Sequence, residues 1–317
     1  MKLIININCH NEEQTLPQVL ESIPRELPGI SKITVQIIDD GSTDKTAEIA
    51  RRYCAKLIQH KRNRGLGHAF KTGVEAAISS GCDIFVNTDG DNQYPAAYIP
   101  DLIQPILDSR ADIVIGNRKP WALQHFSFIK RFFQRVGNFL VNQLIDTPIP
   151  DTISGFRAYS AYALMRLQPT IGFSYTLDTL VQAARKGLQI LSVPINVNVP
   201  TRSSRLYKNI FQYIFRSSHN ILWVYIVHEP FKTFNTAALF FLAPAAYLLV
   251  RFLSFYFHGQ GGHIQSLIIS AIGFSLAGIL FSLGVIAKLV SYNRNFVEEL
   301  LFQEKKRRWE AARSDRG

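Results

Sequence analysis

Two hydrophobic periods alternate along residues 1–120 of the chain. Short runs rich in β-branched residues, at 3–7, 33–38, 56–59, 82–86 and 112–116, read as strands. Between them, 12–22, 43–53, 67–79 and 97–107 carry the spacing of amphipathic helices, and Ser42 stands where an N-cap would open the second of these. This alternation predicts an α/β fold, a mostly parallel sheet with helices on both faces. Ligands of such sheets bind beyond the carboxyl ends of the strands. Asp39, Asp89 and Arg118 fall at or just past three such ends.

The pattern is less regular over 120–235. A basic amphipathic helix is predicted over 126–144, with Lys130, Arg131 and Arg135. A polar loop leads into a helix over 151–159, another helix covers 175–186, and a strand covers 193–199. The aromatic stretch 207–227 reads as a helix suited equally to a bilayer interface and to packing on the sheet. The pattern then changes character. From 237 to 290 the only formal charges are Arg251 and Lys288. Two apolar stretches, 236–257 and 264–290, are each long enough as a helix to cross a hydrocarbon core of ~30 Å, and a Gly-rich turn at 258–263 joins them. The predicted organisation is a catalytic domain over 1–205, an amphipathic juxtamembrane helix over 206–233, two transmembrane helices over 234–292 and a basic tail over 293–317.

Composition sharpens this. Hydrophobic residues make up 47% of the 317, high for a soluble enzyme, and the surplus lies in the hairpin. Lys and Arg number 35 against 24 Asp and Glu, a formal charge of +11. That balance suits an anionic membrane surface and phosphate-bearing substrates. No nucleic-acid partner is expected, because the basic residues form no reader motif. The turn between the apolar stretches has no Lys or Arg, whereas Arg216 and Lys232 precede them and Lys305, Lys306, Arg307, Arg308, Arg313 and Arg316 follow. Both ends of the hairpin are therefore expected in the cytoplasm. The apolar run at 3–7 is too short for a signal peptide. Cys9, Cys54 and Cys82 have no metal-ligand spacing and fit packed thiols in a reducing compartment.

The candidate chemistry centres on Asn87-Thr88-Asp89-Gly90-Asp91-Asn92-Gln93-Tyr94. Two carboxylates one residue apart at a strand end are placed to hold a hard divalent cation, and Gly90 lets backbone and ligand approach closely. Alone the triplet is read more readily as a solvated Asp-Gly turn than as a metal clip. The glycines of Arg64-Gly65-Leu66-Gly67-His68 do not make a P-loop, because no Gly-Lys-Ser/Thr follows.

Five motifs in order carry a resemblance. They are Asn11-Glu12-Glu13, Asp39-Asp40-Gly41-Ser42-Thr43-Asp44, Thr88-Asp89-Gly90-Asp91-Asn92-Gln93-Tyr94, Ile115-Gly116-Asn117-Arg118 and Ser154-Gly155-Phe156-Arg157. The chain resembles the family 2 glycosyltransferases of GT-A fold, and within them the polyprenyl-phosphate sugar transferases. The resemblance implies inverting transfer of a hexose, mannose or glucose, from a nucleotide sugar of the GDP-mannose or UDP-glucose class to dolichyl or undecaprenyl phosphate. It implies an integral protein of the plasma or inner membrane with its catalytic domain cytoplasmic, and allows a homo-oligomer. It implies Mg²⁺ or Mn²⁺ held by Asp89 and Asp91 with Gln93 nearby, and nucleotide-sugar contacts from His10, Glu12, Asp39, Asp40 and Gly90. Arg118 and Arg131 match phosphate-binding positions. Arg202 and Arg205 match a loop that would clamp the lipid phosphate, or else form a basic patch on lipid head groups. Asp151 and Asp178 match acceptor-side carboxylates, Asp178 as a catalytic candidate. The first motif departs from the common Pro-x-Tyr-Asn-Glu form, with Asn8 and His10 in place of Pro and Tyr.

Two rival readings differ in kind. A processive polysaccharide synthase predicts more spans and a Gln-x-x-Arg-Trp motif before them, whereas Gln303-Glu304-Lys305-Lys306-Arg307-Arg308-Trp309 has other spacing and follows the last span. A non-catalytic membrane scaffold predicts decay at Asp39, Asp89, Asp91 or Arg118, all of which are present.

Overall fold

A computed structural model describes residues 1–53, 55–119, 128–145, 147–169, 174–198, 210–259 and 261–314, with 128–134, 210–214 and 216–217 described by backbone alone. The strands β1 (Lys2–Cys9), β2 (Lys32–Asp39), β3 (Lys56–Gln59), β4 (Ile84–Asp89), β5 (Ile113–Asn117), β6 (Arg157–Ser160) and β7 (Ile190–Pro194) form one sheet of order β3-β2-β1-β4-β6-β5-β7. All neighbours pair in parallel except β6, which runs antiparallel to both β4 and β5. The expected mixed, mostly parallel sheet is therefore present.

The central strand β1 is buried from Leu3 to Cys9, and side-chain alternation gives it two characters. Leu3, Ile5 and Ile7 join Leu16, Val19, Val86, Leu102 and Ile103 in one apolar cluster. These come in part from α1 (Leu16–Ser22) and α4 (Ile99–Leu107). The alternate positions Ile4, Asn6 and Asn8 are also buried. The other face is covered by α3 (Leu66–Ser79), α6 (Ala161–Arg166) and α7 (Tyr175–Arg185), where Phe70 meets the rings of Phe85, Tyr159 and Tyr175. The remaining helices before the apolar region are α2 (Thr46–Arg52), α5 (Phe128–Ile145) and α8 (Ile210–His228).

Four local expectations are corrected. Residues 151–159 do not simply lead into a helix: Arg157–Ser160 form β6, inserted between β4 and β5. The last strand lies at Ile190–Pro194, ahead of the expected 193–199. Helix α1 starts at Leu16, because Asn11 adopts φ 58° and the chain turns before the helix opens. Ser42 does not cap α2: that helix starts at Thr46, whose N–H and hydroxyl both donate to Asp44 Oδ1. Ser42 instead accepts the Asn11 N–H and donates its own N–H to Asp39 Oδ1. Both Asp44 and Ser42 are thus spent on joining the first two motifs.

The chain divides into two compact units, Met1–Ile221 with Glu298–Gly317, and Leu222–Val297. The second holds α9 (Pro230–Phe257) and the apolar part of α10 (Ile264–Ser314). Both helices are long and apolar enough to cross a membrane. Only 11% and 17% of their most apolar windows are buried, which a soluble core helix would not leave so exposed. Small residues let the pair approach closely: Ser270 Oγ donates to Ala245 O at 2.8 Å, and a Cβ on Gly273 would lie 2.7 Å from that of Ala245.

The end of α10 belongs to the first unit. Glu298 pairs with Lys186 and Glu299 with Arg166, each at 2.7 Å. The Arg166 guanidinium lies over the Phe302 ring, Lys305 Nζ donates to Leu167 O, and Trp309 Nε1 donates to Cys82 O at 2.6 Å. Residues 298–314 are thus a helix fastened beside the start of β4, at the end of that strand away from Asp89. Trp309→Phe, which deletes the N–H and keeps an aromatic ring, is expected to lower the stability of this unit by about 1 kcal/mol. Denaturant melting monitored on the catalytic domain measures it.

Candidate active site

Parallel register brings the first motifs together. Cys9 at the end of β1 pairs with Asp39 at the end of β2, and on the other side Asn8 pairs with Asp89 at the end of β4. Asp39 and Asp89 therefore flank the end of one strand, roughly two interstrand spacings of ~4.8 Å apart. Asp39 is buried, accepting Ser42 N–H on Oδ1 and Gln59 Nε2 on Oδ2.

Asp40 has a different task. Its Oδ1 accepts the Arg64 N–H and faces His60 Nδ1 at 2.6 Å, and its Oδ2 accepts the Gly65 N–H. The carboxylate sits where α3 begins and is satisfied within the protein. Gly41 beside it has φ 70°, and a Cβ there would lie 2.4 Å from the Arg62 carbonyl carbon. Only glycine permits this contact between two loops. His10 is half-buried next to them, with Nδ1 3.0 Å from Asp40 O.

Thr15 fastens the Asn11-Glu12-Glu13 turn to the acidic triplet. Its hydroxyl is 2.7 Å from Gly90 O and 3.2 Å from Glu12 Oε2. A Cβ on Gly90 would lie 2.7 Å from Cys9 Sγ and 3.3 Å from Glu12 Cγ, so Gly90 is required by close approach. Glu12 is buried. Asp91 Oδ1 accepts the Gln93 N–H, while Asn92, at φ 58°, turns the loop and is held by Asn198, whose Nδ2 donates to Asn92 O.

Asp89 is the electrostatic centre. Its Oδ1 is shielded from solvent and has no hydrogen-bond partner. Burial, then the charges of Asp91 and Glu12, push its carboxyl up to about 7, against the opposing pull of Arg118 and a hydrogen bond from Asn8. Arg118 is itself committed: Nε and Nη2 make a bidentate pair with Asp151 at 2.7 and 2.9 Å. The acidic cluster is thus left with an excess of negative charge. Among the described residues no three His, Cys, Asp or Glu side chains gather as a complete metal site. An unpartnered carboxylate oxygen on Asp89, with Asp91 beside it, still fits a hard cation that takes its other ligands from phosphate and water.

Asp178 is fully buried on the first turn of α7, where Oδ2 accepts Gln182 Nε2. Arg131 lies on α5, described by backbone alone, and Arg202 and Arg205 lie outside the described residues. The structure adds residues that the sequence reading did not single out for the site. Thr15, Tyr94 and Tyr175 surround the triplet, with Tyr94 stacked on Phe156 and its hydroxyl 3.4 Å from Gly155 N. A buried Arg157 donates to the carbonyls of Thr152, Ser154 and Thr176, so the fifth-motif arginine holds the β6 approach together. Tyr94 and Arg157 stood within recognised motifs; Thr15 and Tyr175 carried no local signal.

The sheet is that of a GT-A fold. Glucosyl-3-phosphoglycerate synthase from Mycobacterium tuberculosis, solved with Mn²⁺, UDP and glucosyl-3-phosphoglycerate, superposes with a TM-score of 0.56. At 20% identity over 72% of this chain and 79% of that one, the likeness is one of fold. The chain belongs to glycosyl transferase family 2, whose model matches residues 5–168. It is 30% identical over 228 residues to a dolichol-phosphate mannosyltransferase of Pyrococcus furiosus, covering 68% of this chain and 62% of that protein. It is 31% identical over 198 residues to a dolichyl-phosphate hexose transferase of Haloferax volcanii, covering 61% and 81%.

The raised Asp89 carboxyl gives a test with a defined sign. An unfolded Asp ionises near ~3.9, so between about 4 and 7 the folded state holds a proton that the unfolded state has lost. Metal-free stability therefore falls through that window as pH rises and stays lower above it. Asp89→Asn is expected to raise the metal-free Tm at pH 8 by several degrees, with no gain at pH 4, as measured by calorimetry.

Proposed function

We infer that this chain transfers a hexose from a nucleotide sugar to a polyprenyl phosphate at the cytoplasmic membrane face, with inversion at the sugar carbon and with Mg²⁺ or Mn²⁺. The observation that carries the donor half is the unpartnered Asp89 Oδ1 beside Asp91, at the same sheet edge as Asp39. The acceptor half is supported by relatives whose names specify dolichyl or undecaprenyl phosphate, and by two long apolar helices with little buried surface.

In this reading Asp39 accepts hydrogen bonds from the base or ribose, with Glu12, His10 and Asp40 shaping the same side. Asp89 and Asp91, with Gln93 near, would hold the cation, which would supply neutralising charge for the departing nucleoside diphosphate. The lipid phosphate oxygen attacks the anomeric carbon as the bond to the diphosphate breaks. A phosphate monoester with a second pKa near ~6 is already anionic at pH 7, so this step needs positioning and charge stabilisation but no general base. Asp178, buried on α7, then serves as a positioning group. Arg118, Arg131, Arg202 and Arg205 are assigned to phosphate, Arg118 through the face left by its Asp151 pair. Cation placement from the positive residues around the hairpin supports a cytoplasmic site.

Two observations weigh against a processive synthase. Two helices qualify as spans among the described residues, and Trp309 is bound to Cys82 O, away from the acidic edge.

Membranes carrying the protein, given labelled GDP-mannose, UDP-glucose or UDP-N-acetylglucosamine with polyprenyl phosphate and Mn²⁺, are expected to yield an organic-soluble sugar from one donor. Asp91→Ala is expected to lower that yield by about 100-fold or more. A long water-soluble polymer, or full activity in Asp91→Ala, contradicts the reading.

A further inference from the structure

The turn that carries Asp91 and Gln93 is held by a residue 106 positions further along the chain. Strand β7 lies at the edge of the sheet, and its last residue, Pro194, pairs with Asn117 at the end of β5. The next residue stays fastened there: the Ile195 N–H donates to Asn117 O at 2.9 Å. Ile195 is buried in the apolar cluster, and Val197 packs against it. Asn198, one residue further, reaches the turn that follows β4, two strands in from the edge beyond β5 and β6.

Asn198 grips that turn with both side chain and backbone. Its Nδ2 donates to Asn92 O at 2.8 Å, and its N–H donates to Gln93 O at 3.0 Å. The two carbonyls flank the Gln93 Cα, so the backbone of a candidate ligand is held on both sides. The conformation being held is not one that an L residue adopts freely, since Asn92 stands at φ 58°.

One peptide plane carries the grip to the carboxylate. A peptide group is planar, and in its trans form the C=O and N–H point in opposite directions. The Asn92–Gln93 peptide is trans. Asn198 holds its C=O, and the N–H of the same peptide donates to Asp91 Oδ1 at 3.1 Å. Among the described residues this is the only hydrogen bond on the Asp91 carboxylate. The side chain of Asp91 is therefore oriented by one peptide, and Asn198 orients that peptide. The carboxylate so held is close enough to Asp89 that, after burial, its charge is the largest cause raising the Asp89 carboxyl.

We propose that Asn198 is a positioning residue for the metal ligands, holding the Asn92–Gln93 peptide so that its N–H occupies Asp91 Oδ1 and leaves Oδ2 to the cation. The proposal rests on the metal-dependent reading of the site. It gives the segment that follows the edge strand β7 a share in the donor site. Outer groups that orient a metal ligand typically govern about 10- to 100-fold in metal affinity.

The test is Mn²⁺ binding to the purified full-length protein by electron paramagnetic resonance, with UDP or GDP present. Asn198→Ala is expected to weaken Mn²⁺ binding about 10-fold, with Tm lowered by no more than ~4 °C. Asn198→Asp keeps the shape, and by charge alone it would tighten cation binding. A carboxylate cannot donate to Asn92 O, so this variant too is expected to weaken binding about 10-fold. Trp309→Phe, which loses a hydrogen bond at the far end of β4, is expected to leave Mn²⁺ affinity within ~2-fold of wild type. Should Asn198→Ala not fold, Asn198→Asp decides alone. Wild type that binds Mn²⁺, with the Asn198 variants binding equally well or Trp309→Phe weakened as much as they are, overturns the clamp and leaves the metal reading intact. Wild type that binds no Mn²⁺ overturns both.

Discussion

A carboxylate held where its charge is expensive organises this molecule. Asp89 is pushed up by burial and by two acidic neighbours, and the cation that opposes this, Arg118, is already locked to Asp151. Proteins rarely leave buried negative charge uncompensated, because desolvation costs several kcal/mol or more per ion. The arrangement is intelligible when a cation and a diphosphate complete it. The surrounding devices then share a purpose. Gly90 and Thr15 bring Glu12 against the triplet, Ser42 and Asp44 join the first motif to the second, and Asp40 fixes the loop that opens α3.

The same constraint separates two kinds of acidic residue in one motif. Asp39 stands at a strand end with Ser42 N–H and Gln59 Nε2 on its two oxygens, while the adjacent Asp40 takes the Arg64 and Gly65 N–H groups and faces His60. Alternation along an extended chain sends neighbours to opposite sides, so the consecutive aspartates fasten different parts of the structure, Asp39 the Ser42 turn and β3, Asp40 the loop that opens α3. Arg157 shows the same division among the arginines: its guanidinium serves backbone carbonyls within the protein.

Much of this was legible in the sequence, and the exceptions have physical causes. Strands β1 to β5 and the helices between them were readable because each carries a clear period and lies close to its sequence neighbours in the sheet. Strand β6 was not, since four residues of mixed polarity, Arg157 to Ser160, acquire strand character only by pairing between β4 and β5. The helical course of 298–314 was equally hidden, because its basic composition is that of a solvated tail, while its fastening depends on Trp309, Phe302 and two ion pairs to distant residues. Asp89, Asp91, Asp39 and Glu12 were found by motif order. Tyr175 and the buried amides Gln36, Asn6 and Asn87 were not, because their hydrogen bonds run only across strands and between elements far apart in the chain.

The central claim is that Asp89 and Asp91 await a divalent cation carried with a nucleoside diphosphate. Calorimetric titration of the purified protein at pH 8 with Mn²⁺, with and without UDP or GDP, tests it most directly. One Mn²⁺ per chain, bound more tightly when the diphosphate is present and lost in both Asp89→Asn and Asp91→Asn, is the predicted result. Equal Mn²⁺ binding by the wild type and both variants would contradict it.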